Sequence, residues 1–300
     1  MLAAAKRPTL YVGVGLRRHG LIELVVRLAE HLRLPLATDV LGKAAIPESH
    51  PQFAGVYMGV LGDPAVREML DGSDCVIVIG VVRTDLGTGF WTECINPKSR
   101  ILIDPDGVRV RFHRYDGLAI RQVVEALVDR LPASDRPIPR FSGSSIPQLQ
   151  PEDGESSGAR SGSGIGPDAI SLQVADILAA LKRLDPSRYS FTADVGDSWF
   201  IALELRTEVF LAAGYYASMG FAGPGALGAG IAEPARRPFA IVGDSAFQMT
   251  GTELATMIEQ GLAPIVLLAG HGSHPRASPH PTKAQVSLKT WCAAAHGRRR

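Results

Sequence analysis

The sequence predicts an α/β protein made of two doubly wound parallel-sheet domains, the second incomplete, joined by a flexible linker and followed by a disordered C-terminal tail. Three observations predict it. Short apolar runs alternate with stretches whose apolar residues recur at helical spacing, the pattern of repeated strand-helix units. Residues 75–79 are apolar almost throughout, as a strand covered on both faces should be. Between residues 133 and 168, clusters of Ser, Gly and Pro replace that pattern, and so long a stretch without structure marks a boundary between domains.

Composition bounds the rest. Three hundred residues allow roughly two domains, and a hydrophobic fraction of 46% is ample for their cores. The formal net charge of +1 gives no global pull toward nucleic acid or a membrane surface. No run approaches the ~18 apolar residues of a membrane span. The first eight residues lack the apolar region of a signal peptide, so a cytoplasmic enzyme or enzyme fragment is expected. Cys75, Cys94 and Cys292 are isolated, which argues against a disulfide framework and against a zinc site.

The first domain, residues 6–132, opens with a strand at 9–12 that enters Gly13-Val14-Gly15. The third glycine of a dinucleotide fingerprint is displaced to Gly20, with Arg17, Arg18 and His19 in the gap, so a structural strand-to-helix turn is the reading. Residues 21–33 form an amphipathic helix with Leu21, Leu24, Val25, Leu28 and Leu32 on one face. A strand at 36–38 follows. Asp63 caps a helix at 64–70 that begins with Pro64. Strands at 75–79, 101–103 and 108–111 and a helix at 120–131 complete the domain.

The second domain, residues 169–270, begins with a helix whose face is Val174, Ile177, Leu178 and Leu181. A strand at 190–193 ends in Asp194-Val195-Gly196-Asp197-Ser198, and a helix at 199–205 and a strand at 209–211 follow. The small residues up to Gly230 read as a helix packed close to a backbone or ligand. A strand at 239–242 then leads through a Gly243-Asp244-Ser245 turn into a helix. There Thr250 and Glu253 have the spacing of a capping box, and Leu254, Met257 and Ile258 form the apolar face. Gly261 closes that helix, Pro264 follows, and 265–268 is the last strand. A carboxylate at the carboxyl end of a strand, beside a helix start, is where a parallel sheet places a metal and a phosphate. Asp244 is therefore read as half of a site for a magnesium-bound diphosphate, with a plain strand-turn-helix carrying an exposed Asp as the alternative, and Gly196-Asp197-Ser198 would line the same side of the sheet. From 271 to 300 there is no Asp or Glu, and four of the eight histidines fall there. An unstructured tail is expected, with a histidine-rich metal tail as the alternative.

Four stretches in order resemble the thiamine-diphosphate-dependent 2-oxo-acid decarboxylases, the pyruvate and indolepyruvate decarboxylase group. Gly42-Lys43-Ala44-Ala45-Ile46-Pro47-Glu48-Ser49-His50-Pro51, leading to Gly55-Val56-Tyr57-Met58-Gly59, is similar to a signature of that family's central domain. Gly196-Asp197-Ser198-Trp199-Phe200 resembles a segment of its diphosphate-binding domain, and Ser218-Met219-Gly220-Phe221 with Pro224 the segment that follows. Gly243-Asp244-Ser245 through Pro264 resembles the diphosphate-and-magnesium motif. The match runs from residue 8 to about 268.

The resemblance implies thiamine diphosphate and Mg²⁺ as cofactors and non-oxidative decarboxylation of a 2-oxo acid, of pyruvate, indolepyruvate or phenylpyruvate type, to an aldehyde and CO₂. Asp244 would ligate Mg²⁺. The backbone N–H groups of Ser245 and Ala246, beside Gly243, would donate to the diphosphate, with Asp197 and Ser198 next to it. Met219, preceded by Ser218, would hold the cofactor's bend; a core-filling Met is the alternative. The family's motif ends in an Asn-Asn pair that falls here on Gly270 and His271, so His271 stands at a metal-ligand position, with the Ser273 carbonyl as the next ligand. Imidazole suits zinc or copper better than Mg²⁺. Ser245 stands where the family has Gly, and a side chain there is expected to crowd the turn. No catalytic side chain is expected within residues 1–300, because the family's activating glutamate belongs to a pyrimidine-binding domain that this sequence lacks. The resemblance implies a dimer or tetramer, or a separate chain that supplies that domain. Two other readings are a non-catalytic fragment and acetolactate-synthase-like ligation; Gly196-Asp197-Ser198-Trp199 argues against the second. The acid-free stretch after the last strand reads as translation in another frame, a hypothesis tested by reading the DNA past codon 268 in the alternative frames.

Overall fold

The computed structural model describes residues 1–138 and 174–269. Most of the expected linker, the expected tail, and the sites assigned to His271 and Ser273 lie outside the described residues.

The first half runs β1 (Pro8–Val12), α1 (Gly15–Arg18), α2 (Ile22–Leu32), β2 (Leu36–Thr38), β3 (Phe53–Val56), α3 (Pro64–Asp71), β4 (Cys75–Ile79), β5 (Arg100–Asp104), β6 (Gly107–Val110), β7 (His113–Asp116) and α4 (Ile120–Arg130). Its sheet has the order β3-β2-β1-β4-β5-β6-β7. The strands from β3 to β5 are parallel, and β6 and β7 close the sheet as an antiparallel pair. Side chains alternate across the pleat. Leu10, Val12, Cys75, Ile77 and Ile79 pack under α2 and α4, while Tyr11, Val76 and Val78 meet Val66 and Leu70 of α3. Helices thus cover both faces, which explains the uninterrupted apolar run of β4. The whole predicted face of α2 is buried. Asp63 caps α3 as expected, its Oδ1 accepting the Ala65 N–H at 2.7 Å.

Three elements escaped the periodicity. β3 carries Gly55 at φ +142° and pairs with β2 through an irregular register. β7 is exposed along its whole length and exists by virtue of its ladder with β6. α1 is only four residues long.

The second half runs α5 (Val174–Leu181), β8 (Tyr189–Ala193), α6 (Asp197–Leu203), β9 (Phe210–Ala212), α7 (Ala222–Ala232), β10 (Arg237–Gly243), α8 (Asp244–Thr250), α9 (Glu253–Glu259) and β11 (Ile265–Ala269). Its four described strands are all parallel, in the order β11-β10-β8-β9. Phe239 and Ile241 face α5 and α6, whereas Ala240 and Val242 face α7 and Met257 of α9.

The structure corrects four expectations here. α6 begins at Asp197 rather than Trp199, so Asp197 and Ser198 belong to its first turn. The helix after β10 is two helices, and the first starts at Asp244 with no intervening turn. The Thr250–Glu253 capping box does not form: Thr250 is the last residue of α8, its hydroxyl donating to the Gly220 carbonyl at 2.9 Å, and the N-cap of α9 is Thr252, whose side chain makes no cap bond. Ile258 is 58% exposed, which leaves Met257, with partly buried Leu254, to fill the core.

The halves share one apolar cluster, in which Val40, Val56 and Met58 of the first pack with Phe191, Trp199 and Ile201 of the second.

Candidate functional site

β8 and β10 are neighbours, but the chain leaves them in opposite directions. It passes from β8 through α6 to β9 on one side, and from β10 through α8 and α9 to β11 on the other. Such a reversal opens a crevice outside the carboxyl ends of the two strands, the general ligand position of open α/β sheets. Residues 194–198 follow β8, and Gly243 ends β10 with residues 244–246 after it, so both Gly-Asp-Ser stretches flank this crevice.

A third stretch is tied to both. The Asp194 carboxylate, 1% exposed, accepts the Gly220 N–H at 3.0 and 3.1 Å, the Ala222 N–H at 3.2 Å and the Val195 N–H at 3.1 Å. The Gly220 carbonyl accepts from Thr250 Oγ1 of α8. Gly220 has φ +84°, and a Cβ there would sit 3.0 Å from Thr250 Cγ2, so this position requires glycine. The segment with Ser218 and Met219 is thereby held between the two walls of the crevice. Both residues are exposed, Met219 to 52%, which removes the core-filling reading. Asp194 and Thr250 are the residues that sequence reasoning missed in this role. The sequence offered only an Asp directly after a buried strand; the partner at Gly220 lies 26 residues from Asp194 and 30 from Thr250, beyond the reach of local pattern.

Asp244 is half-buried. Its Oδ1 accepts the Ser245 N–H at 2.7 Å and lies 3.4 Å from the Ser245 hydroxyl, while Oδ2 bonds to no described residue. Ser245 does not crowd a turn. It sits in the first turn of α8 and is absent from the residues with positive φ. The first-turn N–H groups of a helix have no carbonyl partner within it, so those of α8 and α6 point out of the carboxyl side of the sheet. Asp197 is exposed and Ser198 buried within α6. A Cβ on Gly196 would meet nothing within 4 Å, and one on Gly243 only the Ala269 carbonyl at 3.8 Å, so the crevice mouth is open. One half-buried carboxylate with a free oxygen, beside helix-terminal N–H donors, suits a diphosphate whose Mg²⁺ draws most ligands from phosphate and water. No cluster of three His, Cys, Asp or Glu side chains occurs among the described residues, so a site with an all-protein cage is not formed there.

The equivalent reversal in the first sheet, between β1 and β4, is filled by protein. A Cβ on Gly13 would lie 2.5 Å from the Gly80 carbonyl and 2.6 Å from Asp39 Oδ2, and Gly15 is as close to Gly80. Gly13-Val14-Gly15 is a packed turn, as its spacing suggested. Burial pushes the Asp39 carboxyl up to about 7, against the opposing pull of backbone N–H groups from Gly42 and Val82.

Comparison with known proteins agrees with this geometry. The family described as thiamine pyrophosphate enzyme, central domain, matches residues 1–131. The family described as thiamine pyrophosphate enzyme, C-terminal TPP binding domain, matches residues 194–270, which begin at Asp194. The chain is 31% identical to an indole-3-pyruvate decarboxylase of Azospirillum brasilense over 272 residues, 91% of this chain and 48% of that protein. It is 27% identical to a probable pyruvate decarboxylase of Schizosaccharomyces pombe, covering 88% and 44% of the two chains. It is also 27% identical to an alpha-keto-acid decarboxylase of Mycolicibacterium paratuberculosis, covering 86% and 44%. The chain thus spans about half the length of the curated relatives it matches.

Proposed function

Since the chain belongs to the thiamine pyrophosphate enzyme family, we propose that it holds the diphosphate end of thiamine diphosphate, with Mg²⁺, and serves the non-oxidative decarboxylation of a 2-oxo acid to an aldehyde and CO₂. The observation that carries this reading is the convergence of residues 194–198, 218–222 and 243–246 at the open strand reversal of the second sheet. Asp244 would ligate Mg²⁺ through its free oxygen. The backbone at Ser245 and Ala246 would donate to the diphosphate after Gly243, with Asp197 and Ser198 on the opposite wall. Use of the Ser245 N–H requires it to leave Asp244 Oδ1. Met219, exposed between the walls, would support the bend of the bound cofactor. Bound thiamine diphosphate supplies the carbanion chemistry; the residues here anchor and orient it. We read residues 6–132 and 169–270 as two domains joined by 133–168.

A substrate of pyruvate or indolepyruvate type is supported by the relatives' names, and phenylpyruvate belongs to the same proposal. Pairing with a second copy, or with a pyrimidine-binding domain, is supported by the apolar surface near the crevice, where Tyr216 is 84% exposed and Tyr215, Met219 and Met249 are more than half exposed. No described helix is long and apolar enough to cross a membrane; a cytoplasmic setting is part of the same proposal.

Calorimetric titration of the 300-residue polypeptide with thiamine diphosphate, with and without Mg²⁺, tests the site. Mg²⁺-dependent binding is expected, and absence of binding at millimolar cofactor would refute it. An aldehyde assay with the three 2-oxo acids is expected to show no turnover by this polypeptide alone. The acid-base groups assigned to the pyrimidine-binding domain are worth ~10²–10⁴-fold. Turnover by the polypeptide alone would refute that part.

A further inference from the structure

We propose that Lys43 and Glu48, which belong to the first half of the molecule, are positioning residues for the crevice of the second half and act on it through α6. The last step of this proposal rests on the function proposed above; the coupling itself rests on the contacts between the two halves.

Lys43 is 4% exposed and Glu48 7%. Lys43 Nζ donates to Glu48 Oε1 at 2.9 Å and to the Leu205 carbonyl at 2.8 Å, and lies 5.7 Å from the centre of the Phe210 ring. Glu48 Oε2 accepts the Thr207 N–H at 2.8 Å. Leu205 and Thr207 flank Arg206 in the segment that leaves α6 for β9. Two opposite charges of one half are therefore completed by two backbone groups of the other. Buried charges persist only when paired and hydrogen-bonded, so neither half can satisfy this pair without its neighbour.

The segment that presents the pair is built for it. Asp39 accepts the Gly42 N–H, and the Arg17 guanidinium donates to the Ala44 carbonyl at 2.7 Å. Ala44 is held at φ +58°, a conformation that L residues rarely adopt. Val40 of the same segment shares an apolar cluster with Trp199 of α6, and Leu41 lies against Gly214, which the Trp199 ring also approaches. α6 itself has seven residues and is only ~10 Å long, a rigid rod at this length. Fixing the chain just past its far end fixes Asp197 and Ser198 at its start.

The test is amide hydrogen exchange on the full chain, for wild type, Lys43→Met and the double variant Lys43→Met/Glu48→Met. The double variant leaves no unpaired charge and keeps the claim testable where the single variant fails to fold. Exchange across residues 197–207 is expected to rise at least tenfold, with β10 and α9 as protected as in wild type. Exchange in 197–207 within twofold of wild type, or a uniform rise through both sheets, overturns the proposal. Titration of the double variant with thiamine diphosphate and Mg²⁺ is expected to show about tenfold weaker binding. Ile77→Val, a first-half core variant, is the control and should bind as wild type does. Equal weakening in both variants would mean that general loosening is the cause, and overturns the positioning role. If wild type itself does not bind thiamine diphosphate, the proposed function fails, and the exchange measurement still decides the coupling.

Discussion

Asp194→Ala should be the most damaging single substitution near the crevice that removes no ligand of the cofactor. The Asp194 carboxylate satisfies three backbone N–H groups, of which those of Gly220 and Ala222 are buried. Each buried donor left without a partner costs about 1–3 kcal/mol. The Val195 N–H is half-buried and recovers much of its loss from water. Two orphaned donors give a central expectation of about 4 kcal/mol, or roughly a 10 °C fall in Tm for a chain of this size. Asp194→Asn sharpens the test. Its amide oxygen can keep Val195 and Gly220, but its NH₂ then faces the Ala222 N–H, so about half of the loss is expected. Urea unfolding followed by circular dichroism measures both variants, and amide exchange should localise the effect to residues 218–222. A loss below about 1 kcal/mol for Asp194→Ala, or an Asn variant as damaged as the Ala variant, would refute the assignment of this carboxylate as the tie between β8 and the Met219 segment.

Three further outcomes follow from other positions. Asp39 has its folded carboxyl raised from 3.8 to about 7 by burial, so the stability it contributes is complete below pH ~4 and is lost as pH rises through 7. Against Asp39→Asn, wild type should therefore lose up to about 4 kcal/mol between pH 4 and 8 in urea melts; a pH-independent difference would reject burial as the cause. Asp244→Ala should leave stability within about 0.5 kcal/mol, since among the described residues the carboxylate bonds only to its neighbour Ser245, while Mg²⁺-dependent cofactor binding weakens at least tenfold by calorimetry. Unchanged affinity would remove Asp244 from the metal site. Gly220→Ala should destabilise by about 2 kcal/mol in a thermal melt, from its left-handed backbone and the close Thr250 methyl; a neutral result would show that the segment relaxes freely.

Much of this was legible in the sequence where burial dictates pattern. β4 and the apolar face of α2 announce themselves because each is covered by protein, and Asp63 announces α3 because a cap is a local device. β3 and β7 were silent for opposite reasons. One is interrupted by Gly55 and the other is solvent-exposed, so neither carries an alternating pattern. The positions of Asp197, Met219 and Asp244 on the carboxyl side of one sheet could be inferred from three strand ends. The ties that hold them could not, because Asp194 to Gly220 and Thr250 to Gly220 are contacts between residues far apart in sequence. Thr250 shows the limit clearly. Its spacing to Glu253 suggested a local cap, but it ends α8 and its hydroxyl bonds to a residue 30 positions away. Lys43 and Glu48 read as a family signature with no physical role until the second sheet was placed against them.

One strand described above has a bearing on how the protein behaves in solution. β11 (Ile265–Ala269) pairs with β10 on one flank, and no described strand pairs with the other. Its sequence, Ile-Val-Leu-Leu-Ala, carries no charge and no proline, the two devices that usually blunt an unpaired sheet edge. By contrast, β7 at the far end of the first sheet is guarded by His113, Arg114 and Asp116. β11 is therefore the template on which a further strand, from this polypeptide or from another copy, would add by backbone pairing alone. Whatever covers that edge during synthesis decides between continued folding and self-association.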